Sequence, residues 1–453
     1  MKTIFSFRRH HYMTRFSIFL IMVALIAGTL SCSGTTPPRY DLTMAVNPVE
    51  GGTATDETGE SPYQEDTDVS IKAVANTGYH FVGWSAPAGT FANENAAETT
   101  FVMPDQDVTV TANFAEEIQT EIQDWYDLHA VRDNMGGNYT LMNDLDSTTP
   151  GYEELASPTA NEGNGWQPIG NEEFPFAGSF NGKGYEIRDL RINHPDESSV
   201  GLFSRISGAG VIENIGVVNA DVTGYEYVGS LVGYSSGTVS NSYATGNVSG
   251  HEDVGGLVGQ LYWGTVSKCY ATSKVTGAGF LGGLVGSNSY GTLSQCYATS
   301  KVTGAGFLGG LVGLNSYGTL SHCYAIGDVA GISMVVGGLV GWTYDGTLSE
   351  CYARGSVTGW TDVGGLVAWN FDSTVSNSFW DTETSGQATS DGGTGKNTTE
   401  MKDIVTFTDT ETEGLDEPWD MTTVANPGTR NPSYIWNIVD DETYPFLSWQ
   451  PVS

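Results

Sequence analysis

One phrase of six residues recurs six times between Val228 and Trp380, and it constrains the fold more than any other feature of the chain. Its usual form is Gly-Gly-Leu-Val-Gly behind a Val or Leu, and its first glycines stand at positions 229, 255, 282, 309, 337 and 364. The steps between them are 26, 27, 27, 28 and 27 residues. A fixed period of this length predicts a solenoid, in which each repeat is one coil that buries its apolar side against its neighbours.

Each repeat contains three short β-type pieces separated by Gly, Ser and Asn. The second piece has the form Gly-Thr-(Val/Leu)-Ser-x-(Cys/Ser)-Tyr-Ala, as in residues 264–271, and a third piece such as Lys274-Val-Thr276 follows it. Turn signals at this spacing favour strands, and neither a long helical period nor the spacing of leucine-rich repeats is present. The sequence therefore predicts an all-β fold: a right-handed parallel β-helix with three strands per coil.

Stacking of such coils would bring equivalent side chains into columns about 4.8 Å apart. One inward column would contain six leucines: Leu231, Leu257, Leu284, Leu311, Leu339 and Leu366. Another column would contain Tyr243, Tyr270, Tyr297, Tyr324, Tyr352 and Phe379. Residues 271–297 and 298–324 differ only at Ser287/Leu314 and Gln295/His322, which fits an architecture that can gain a coil without disturbing distant contacts.

The two recurring phrases together resemble the GLUG-motif repeat of bacterial surface proteins, some of which are IgA-specific metallopeptidases. The resemblance implies a surface repeat protein, and the repeat itself carries no catalytic residues. A zinc peptidase of that type needs His-Glu-x-x-His. The nearest string, from His251 to Gly255, lacks the second His, so peptidase activity is not expected of this chain.

The chain is strongly acidic, with 53 Asp and Glu against 18 Lys and Arg among 453 residues. Nucleic acid would be repelled by such a chain and is not an expected partner. The acids are dispersed, which is typical of a soluble extracellular surface, with Ca²⁺ binding or a salt-adapted setting as the alternative. Neither an EF-hand loop nor a glycine-rich Ca²⁺ nonapeptide is present, so no metal or cofactor is predicted.

Residues 1–32 have the pattern of a secretory signal, with arginines ahead of an uncharged apolar run from Phe16 to Leu30. The run is short for a membrane span. Its end resembles a bacterial lipobox, which implies lipidation of Cys32 and attachment to a membrane, although Thr29 departs from the usual aliphatic residue. Simple cleavage or a retained anchor is the alternative. Residues 33–39 read as a linker.

Residues 40–114 alternate as strands with Gly- and Asn-rich turns, which predicts an independent β module. Its strings Asn47-Pro-x-x-Gly-Gly52 and Gly78-Tyr-His-Phe-Val-Gly-Trp84 resemble internalin B-repeat-like modules of bacterial surface proteins. That resemblance implies a spacer or an adhesive unit. His80, Phe81 and Trp84 could form a ligand site, or the aromatic rings could pack in the core.

The solenoid is predicted to begin in residues 118–224 with irregular coils, to continue through the repeats at 225–380 and to end with a C-terminal cap at 381–453. Trp125, Leu128, Val131 and Met135 stand at helical spacing. A short helix over the first coil would cover an exposed sheet edge that could otherwise pair with another chain.

Four cysteines hold the same place in successive repeats: Cys269, Cys296, Cys323 and Cys351. One interpretation is a buried thiol ladder that is interchangeable with Ser242 and Ser378 at its ends. A second is one or two disulfides between coils, which an exported protein permits but parallel side chains make difficult. A third is a metal site, which a linear row of thiols cannot close into a tetrahedron.

Aromatic residues follow the glycine phrases and predict a ligand-binding stripe along one edge: Tyr262, Trp263, Tyr290, Tyr317, Trp342, Tyr344 and Trp369. Neighbouring amides such as Asn288 and Asn315 could hydrogen-bond sugar hydroxyls. The alternative is that the rings only seal one edge of the rod. Paired carboxylates for glycoside hydrolysis cannot be identified, and the common nucleophile and nucleotide motifs are missing.

We therefore expect a non-catalytic, exported and lipid-anchored cell-surface protein that binds an extracellular glycan or a surface protein through a β-helical rod. A carbohydrate-active enzyme on the same fold is the second hypothesis, and it rests on fold analogy alone. A purely structural spacer is the third.

Overall fold

The structure is a computed structural model that describes residues 37–452 apart from residues 60, 77, 117, 118, 333 and 334. The predicted signal segment and Cys32 lie outside the described residues. The chain divides into two compact units, one ending at residue 117 and the other beginning at residue 118. Strands predominate in both units, as the sequence predicts.

The first unit is an all-β module of two sheets with one 3₁₀ turn at Val49–Gly51. In one sheet the order of neighbouring strands is Leu42–Asn47, Val108–Glu116 and Tyr79–Ser85. In the other sheet the order is Gly52–Asp56, Asp68–Ala75, Glu98–Val102 and Thr90–Phe91. Phe81 packs edge-on against Trp84 and Phe114, with ring centroids 5.4 and 5.8 Å away. The Trp84 indole is buried and donates to the carbonyl of Ala96 at 2.9 Å. These aromatic rings therefore serve the core, while His80 is exposed.

The second unit is a parallel β-solenoid in which a repeat coil contributes strands to four sheets. We number the sheets in chain order, so that one coil runs Glu252–Gly255 (sheet 1), Val258–Tyr262 (sheet 2), Thr265–Ser267 (sheet 3) and Tyr270–Gly277 (sheet 4). Each strand pairs in parallel with its equivalent in the next coil.

The predicted number of three strands per coil is wrong, because each glycine phrase contains a bend that separates the end of one strand from the start of the next. Phe280–Gly282 belongs to sheet 1 and Val285–Ser289 to sheet 2, and the chain turns between them. A Cβ atom on Gly282 would lie 1.8 Å from the carbonyl oxygen of Val285. Only glycine permits this close approach, and the leucine of the phrase is thereby directed into the core.

The strands of each sheet follow one another along the solenoid. Sheet 1 contains Glu226–Val228, Glu252–Gly255, Phe280–Gly282, Phe307–Gly309, Val335–Gly337 and Asp362–Gly364. Sheet 2 contains Phe203–Ile206, Val232–Ser235, Val258–Tyr262, Val285–Ser289, Val312–Ser316, Val340–Tyr344 and Val367–Phe371. Sheet 3 contains Gln119–Ile122, Asn138–Leu141, Ser179–Asn181, Val211–Glu213, Thr238–Ser240, Thr265–Ser267, Thr292–Ser294, Thr319–Ser321, Thr347–Ser349 and Thr374–Ser376.

Sheet 4 has the largest number of strands, because some coils contribute two short ones. It contains Glu186–Arg188, Arg191–Asn193, Gly216–Thr223, Tyr243–Gly250, Tyr270–Gly277, Tyr297–Ala298, Lys301–Gly304, Tyr324–Ala325, Val329–Gly331, Tyr352–Ala353, Val357–Thr358, Phe379–Asp381 and Thr394–Lys396.

The six leucines of the repeat form the predicted inward column, and all six are fully buried. Their backbones join successive coils, as in the bond from the amide of Leu257 to the carbonyl of Leu284 at 2.9 Å. Valine side chains of sheets 2, 3 and 4 complete the same core. Each coil thus buries its apolar side chains mainly against the coil before and the coil after it.

A short helix lies at the start of the solenoid, as predicted, but it is only six residues long. It spans Trp125–Ala130 and continues as a 3₁₀ turn at Val131–Asp133. The Asp124 carboxylate caps it by accepting from the amides of Tyr126 and Asp127, both at 2.9 Å. Trp125 is fully buried and joins the solenoid core. Two further single turns, Tyr152–Leu155 and Asn161–Gly163, follow in this region.

The tyrosine column forms as predicted, but it lies outside the solenoid core. Its members are Tyr243, Tyr270, Tyr297, Tyr324, Tyr352 and Phe379. The five tyrosine rings stack with centroids 4.8 to 5.0 Å apart and interplanar angles of 2° to 4°. Since the adjacent Cys and Ala side chains point into the core, the tyrosines point away from it.

The C-terminal segment does two different things. Residues 389–396 pair with the last coil, for example through the bond from Gly365 to the carbonyl of Thr389 at 3.0 Å. The following residues turn back and cover the tyrosine column from Phe379 to Tyr297. Their elements are Glu400–Lys402, Val405–Thr408, Met421–Thr423, Trp436–Ile438 and Phe446–Leu447, while the single turn Thr382–Ser385 directly follows the strand Phe379–Asp381. The predicted cap is therefore partly a cover along the side of the solenoid.

Candidate functional site

The turn that joins sheet 2 to sheet 3 carries aromatic side chains in three successive coils. Trp263, Tyr290 and Tyr317 occupy this turn with φ angles of 60°, 58° and 52°, a left-handed conformation that costs a non-glycine residue about 1–2 kcal/mol. Their rings stack with centroids 4.6 and 4.9 Å apart. These ring contacts offset part of the backbone cost, and the three side chains remain 64%, 40% and 43% exposed.

A second aromatic row lies at the ends of the strands in sheet 2. Tyr262 and Tyr344 hold equivalent positions there, and Phe371 follows Tyr344 in the last coil. Tyr262 and Tyr344 pack edge-on against the stacked row, at interplanar angles of 83° and 80°. We call the combined surface the aromatic ridge, and it consists of Tyr262, Trp263, Tyr290, Tyr317, Tyr344 and Phe371.

Trp342 and Trp369 belong to a separate row, which we call the Trp–Phe row. They lie two residues before the ridge positions of sheet 2 and pack against Phe280 and Phe307 of sheet 1. Successive centroids along the row are 5.2, 5.2 and 5.4 Å apart. The structure thus divides the predicted stripe into two surfaces. The predicted stripe does not include Phe280 and Phe307. Strand alternation before each glycine phrase could have identified them, because it places these side chains on the outer face.

The Trp–Phe row ends in a cavity of about 420 Å³ at the last complete coil. One side of the Trp369 indole stacks on Trp342 at an interplanar angle of 22°, and no described ring lies beyond it in the row. Asp362, Thr389 and Asp391 supply polar groups to the same cavity. A pyranose ring has an apolar C–H face and a rim of hydroxyls, so an indole beside carboxylates and hydroxyls suits it.

Two of the amides that the sequence places beside the stripe, those of Asn288 and Asn315, are not available to a ligand. Asn288 and Asn315 are fully buried. The Asn288 amide donates to the Asn315 side-chain oxygen at 2.8 Å and to the carbonyl of Gly291 at 3.2 Å. They form an internal ladder that holds the turns carrying the ridge, since each amide also binds the backbone of its own turn. The expectation that they contact sugar hydroxyls is therefore wrong.

Sheet 3 presents two rows of hydroxyls next to the ridge. Each repeat coil places a threonine and, two residues later, a serine on the outer face, and both rows are in register from Thr238 to Ser376. The residue between them is a buried Val or Leu, except for the half-buried Val375 of the last coil. A ligand on the ridge would therefore meet a polar surface on the side of sheet 3.

The four repeat cysteines are fully buried and free. Each thiol donates to the carbonyl of the serine two residues earlier at 3.2 Å. Ser242 and Ser378 make the equivalent bond at 2.7 Å. Burial raises the pKa of Cys269 and Cys323 well above the usual range. Thiolates, the form needed by a nucleophile or a metal ligand, are therefore disfavoured there.

One buried carboxylate is strongly perturbed. Asp253 is 7% exposed, and its Oδ1 has no hydrogen-bond partner. Burial, followed by the charges of Glu252 and Glu226, raises the pKa of Asp253 to about 7. It stands between Tyr227 and Phe280 in the outward row of sheet 1. Within the described part of the chain, no group of three or more His, Cys, Asp or Glu could hold a metal ion.

Comparison with known families identifies the repeated parts of both units. Residues 42–118 match the divergent InlB B-repeat domain. Five consecutive stretches match the GLUG motif: 224–249, 250–276, 277–303, 304–330 and 333–358. The chain is therefore a repeat protein that carries an InlB B-repeat domain and a GLUG solenoid, and both predicted resemblances are confirmed.

Two curated relatives share parts of the chain. Halomucin of Haloquadratum walsbyi is 31% identical over 248 residues, which is 53% of this chain and 2% of halomucin. A protein named as a candidate Gly-rich membrane protein of Evansella cellulosilytica is 34% identical over 119 residues, 25% of this chain and 13% of the relative. The matched region thus spans only a small part of either relative.

Among solved structures, a protein described as a candidate immunoglobulin A1 protease from Bacteroides ovatus is similar at 21% identity and a TM-score of 0.48. The alignment covers 74% of this chain and 93% of that one. A structure named IgA1 Protease aligns at 16% identity and a TM-score of 0.42, over 72% of this chain and 25% of that one. No helix in the described residues is long and apolar enough to cross a membrane.

Proposed function

We propose that this chain is a non-catalytic, exported surface protein that binds an extracellular glycan on its GLUG solenoid. Lipidation of Cys32 would attach it to a membrane. The bacterial-type lipobox, the dispersed acidic surface and the name of the Evansella relative as a membrane protein support the location. The InlB B-repeat domain would then stand between the anchor and the solenoid in the chain.

The observation that carries the binding proposal is the cavity at Trp369. Rings inside a stacked row have both faces covered, so they offer a sugar only their edges. The stack of Trp263, Tyr290 and Tyr317, at 4.6 and 4.9 Å, is of this kind in its interior. Trp369 ends its row and is 44% exposed beside Asp362 and Asp391. A pyranose can therefore stack on its open side and hydrogen-bond to the carboxylates.

The aromatic ridge would act as a second, weaker contact along the solenoid. Its rings lie at an edge next to the hydroxyl rows of sheet 3, so a chain ligand could follow it across several coils. Affinity would then increase with the number of sugar units, because each additional contact is intramolecular once the first unit is bound.

Binding of the full chain to a panel of soluble and insoluble polysaccharides tests the proposal. Trp369→Ala should weaken binding at least about tenfold, because an aromatic anchor is typically a hot spot. Phe371→Ala removes another exposed ring of the same strand and is the matched control, with a severalfold effect at most. The proposal fails if no glycan binds, which would favour the spacer, or if Trp369→Ala binds like the parent.

An enzymatic role is tested separately. Incubation with the polysaccharide that binds best, and with immunoglobulin A, should give no shortened products, because the chain lacks His-Glu-x-x-His and no recognisable carboxylate pair is present. Cleavage of either substrate that survives removal of contaminating activity would overturn the non-catalytic part of the proposal. Glycan binding would then have to be interpreted as substrate binding.

A further inference from the structure

A second cavity lies between the tyrosine column and the C-terminal segment that covers it. Its volume is about 320 Å³, and its lining includes Tyr352, Arg354, Lys402, Glu442 and Tyr444. Tyr352 donates its hydroxyl hydrogen to the carbonyl of Pro445 at 2.6 Å, which fixes one wall to the solenoid. The cavity is thus formed by two parts of the chain, residues 324–354 of the solenoid and residues 402–450 of the C-terminal segment.

Two cations converge on this cavity. The Arg354 guanidinium lies 4.4 Å from the centroid of the Tyr444 ring, and the Lys402 ammonium lies 5.6 Å from the same centroid. Both positive groups therefore lie close to one ring, which attracts cations through its face but does not neutralise them. Two cations that line one cavity raise the local potential for an anion.

Within the described residues, the charges of Arg354 and Lys402 are not neutralised by an ion pair, although the chain is rich in carboxylates. Among the described Lys and Arg residues, ion pairs are formed by Lys72, Arg188 and Arg191. Neither Arg354 nor Lys402 has a carboxylate oxygen within 4.0 Å in the described structure. The Nε of Arg354 is buried without a hydrogen-bond acceptor, a state that folded proteins usually avoid.

Arg354 also breaks the repeat. It is the single arginine in residues 225–380. Its place after the Tyr-Ala pair is taken by threonine in three earlier coils, at Thr245, Thr272 and Thr299, and by Ile326 in the coil before. A solenoid coil does not need an arginine at this position. The C-terminal segment, with Lys402 and Tyr444, lies beside the coil in which the arginine stands.

We propose that this cavity binds the carboxylate of an acidic sugar of the uronic acid class. Arg354 and Lys402 hold the carboxylate through charge-assisted hydrogen bonds. The Tyr444 ring gives the sugar an apolar surface, and Glu442 at the cavity accepts from a sugar hydroxyl. The site is distinct from the Trp369 cavity, so it does not depend on the glycan binding proposed above.

Calorimetric titration of the full chain with sodium glucuronate tests the site, with glucose and acetate as comparison ligands. Glucuronate should bind with a Kd on the order of 1 mM, and glucose and acetate at least about tenfold more weakly. Added salt should weaken glucuronate binding, because the attraction is largely electrostatic. Equal binding of glucose would overturn the carboxylate contact, and equal binding of acetate would overturn the sugar contact.

Variants locate the binding. Arg354→Met should weaken glucuronate binding at least about tenfold, and Lys402→Met should weaken it severalfold. Arg354→Lys should weaken it less than Arg354→Met does, because Lys keeps the charge but loses the planar fork of the guanidinium. Lys274→Met, which removes an exposed cation from sheet 4, is the matched control and should change nothing. Melting temperatures verify that each variant is folded.

Two outcomes overturn the proposal outright: no saturable glucuronate binding by the parent chain, or an equal loss in Lys274→Met and Arg354→Met. Trp369→Ala should bind glucuronate like the parent. Failure of the glycan proposal and failure of this one therefore give different results in the same set of proteins.

Discussion

The aromatic ridge and the tyrosine column are both built mainly from one aromatic residue per coil, yet the first is open to solvent and the second is largely covered. Trp263, Tyr290 and Tyr317 stack as closely as Tyr297, Tyr324 and Tyr352. Stacking inside the repeat therefore does not decide whether a column is a core or a surface. The C-terminal segment decides it, because its tryptophans lie on one column and leave the other exposed.

The largest expected effect comes from removing that cover. Trp436 is fully buried, and its ring lies 6.0 Å from both Tyr324 and Tyr352. Trp436→Ala should lower the free energy of unfolding by about 3–5 kcal/mol, since it leaves a large cavity against the column. Denaturant unfolding followed by circular dichroism measures the change.

Trp263→Ala is the control for that prediction, because it removes the same side chain from the ridge. Its cost should be below about 1 kcal/mol, as is usual for exposed positions. Equal losses in the two variants would contradict the distinction between a covered and an open column.

The outward row of sheet 1, which contains Phe280 and Phe307 of the Trp–Phe row, also contains a buried carboxylate, Asp253. Because the folded-state pKa of Asp253 is about 7 and its unfolded value is 3.8, the folded chain keeps a proton that the unfolded chain releases between these values. The unfolding free energy should therefore be highest near pH 4 and should fall by up to about 4 kcal/mol as pH rises through 7.

Asp253→Asn tests this dependence, since the amide cannot ionise. The variant should be more stable than the parent at pH 9 and should lack this pH dependence. Denaturant unfolding curves of the parent and the variant at pH 5 and pH 9 give the unfolding free energies to compare. A parent chain whose stability does not fall between these pH values, with Asp253→Asn behaving in the same way, would contradict the burial of an ionisable carboxylate here.

Alkaline pH should open the covered column. Burial raises the pKa of Tyr324 and Tyr352 above the usual range. The folded chain then holds phenolic protons that the unfolded chain loses above about pH 10, so the unfolding free energy falls as pH rises past that value, by about 1.4 kcal/mol per unit for each tyrosine.

Tyr324→Phe should reduce this loss while costing about 1 kcal/mol at pH 8, since its hydroxyl donates to the Gln450 side-chain oxygen at 2.7 Å. Absorbance of tyrosinate and near-ultraviolet circular dichroism, recorded together, show whether ionisation and loss of packing coincide. Full tyrosine ionisation without loss of the near-ultraviolet signal would contradict the prediction.

The smallest effect is expected inside the coils. Cys323→Ser should change the unfolding free energy by less than about 1 kcal/mol, because Ser242 and Ser378 already make the same bond to a carbonyl in this ladder. Cys323→Val serves as the comparison, since it adds volume to a closely packed row. A decrease of several kcal/mol in the unfolding free energy of Cys323→Ser would contradict this, because the thiol would then contribute more to stability than its volume and its hydrogen bond explain.

Much of the fold could be predicted from the sequence because a solenoid makes distant contacts local. Leu284 meets Leu257 and Leu311 because one period separates them, and the period is visible in the chain. The period does not show which way a side chain points, and the expectation that Asn288 and Asn315 face a ligand is wrong for this reason. Asn288 lies in the strand Val285–Ser289, two residues before the ridge residue Tyr290, yet its side chain is buried and donates to the carbonyl of Gly291 in the following turn.

The candidate sites were less accessible to such reasoning. Trp342 and Tyr344 are two residues apart and belong to one predicted stripe in the sequence, yet the structure places them in different aromatic rows. The cavity with Arg354 and Lys402 joins residues that no period relates. A repeat pattern describes only neighbours within the repeat, and both cavities contain residues from beyond it.

By itself, the sequence determined the coil length, the inward leucines, the in-register columns and the two families, because each of these follows from residues that recur at a constant spacing. Only the tertiary structure decided which columns are covered, where an indole keeps one side open and which cations lack carboxylates. Those outcomes depend on the path of the non-repeating C-terminal segment, which is set by packing against the finished solenoid and leaves no periodic signal.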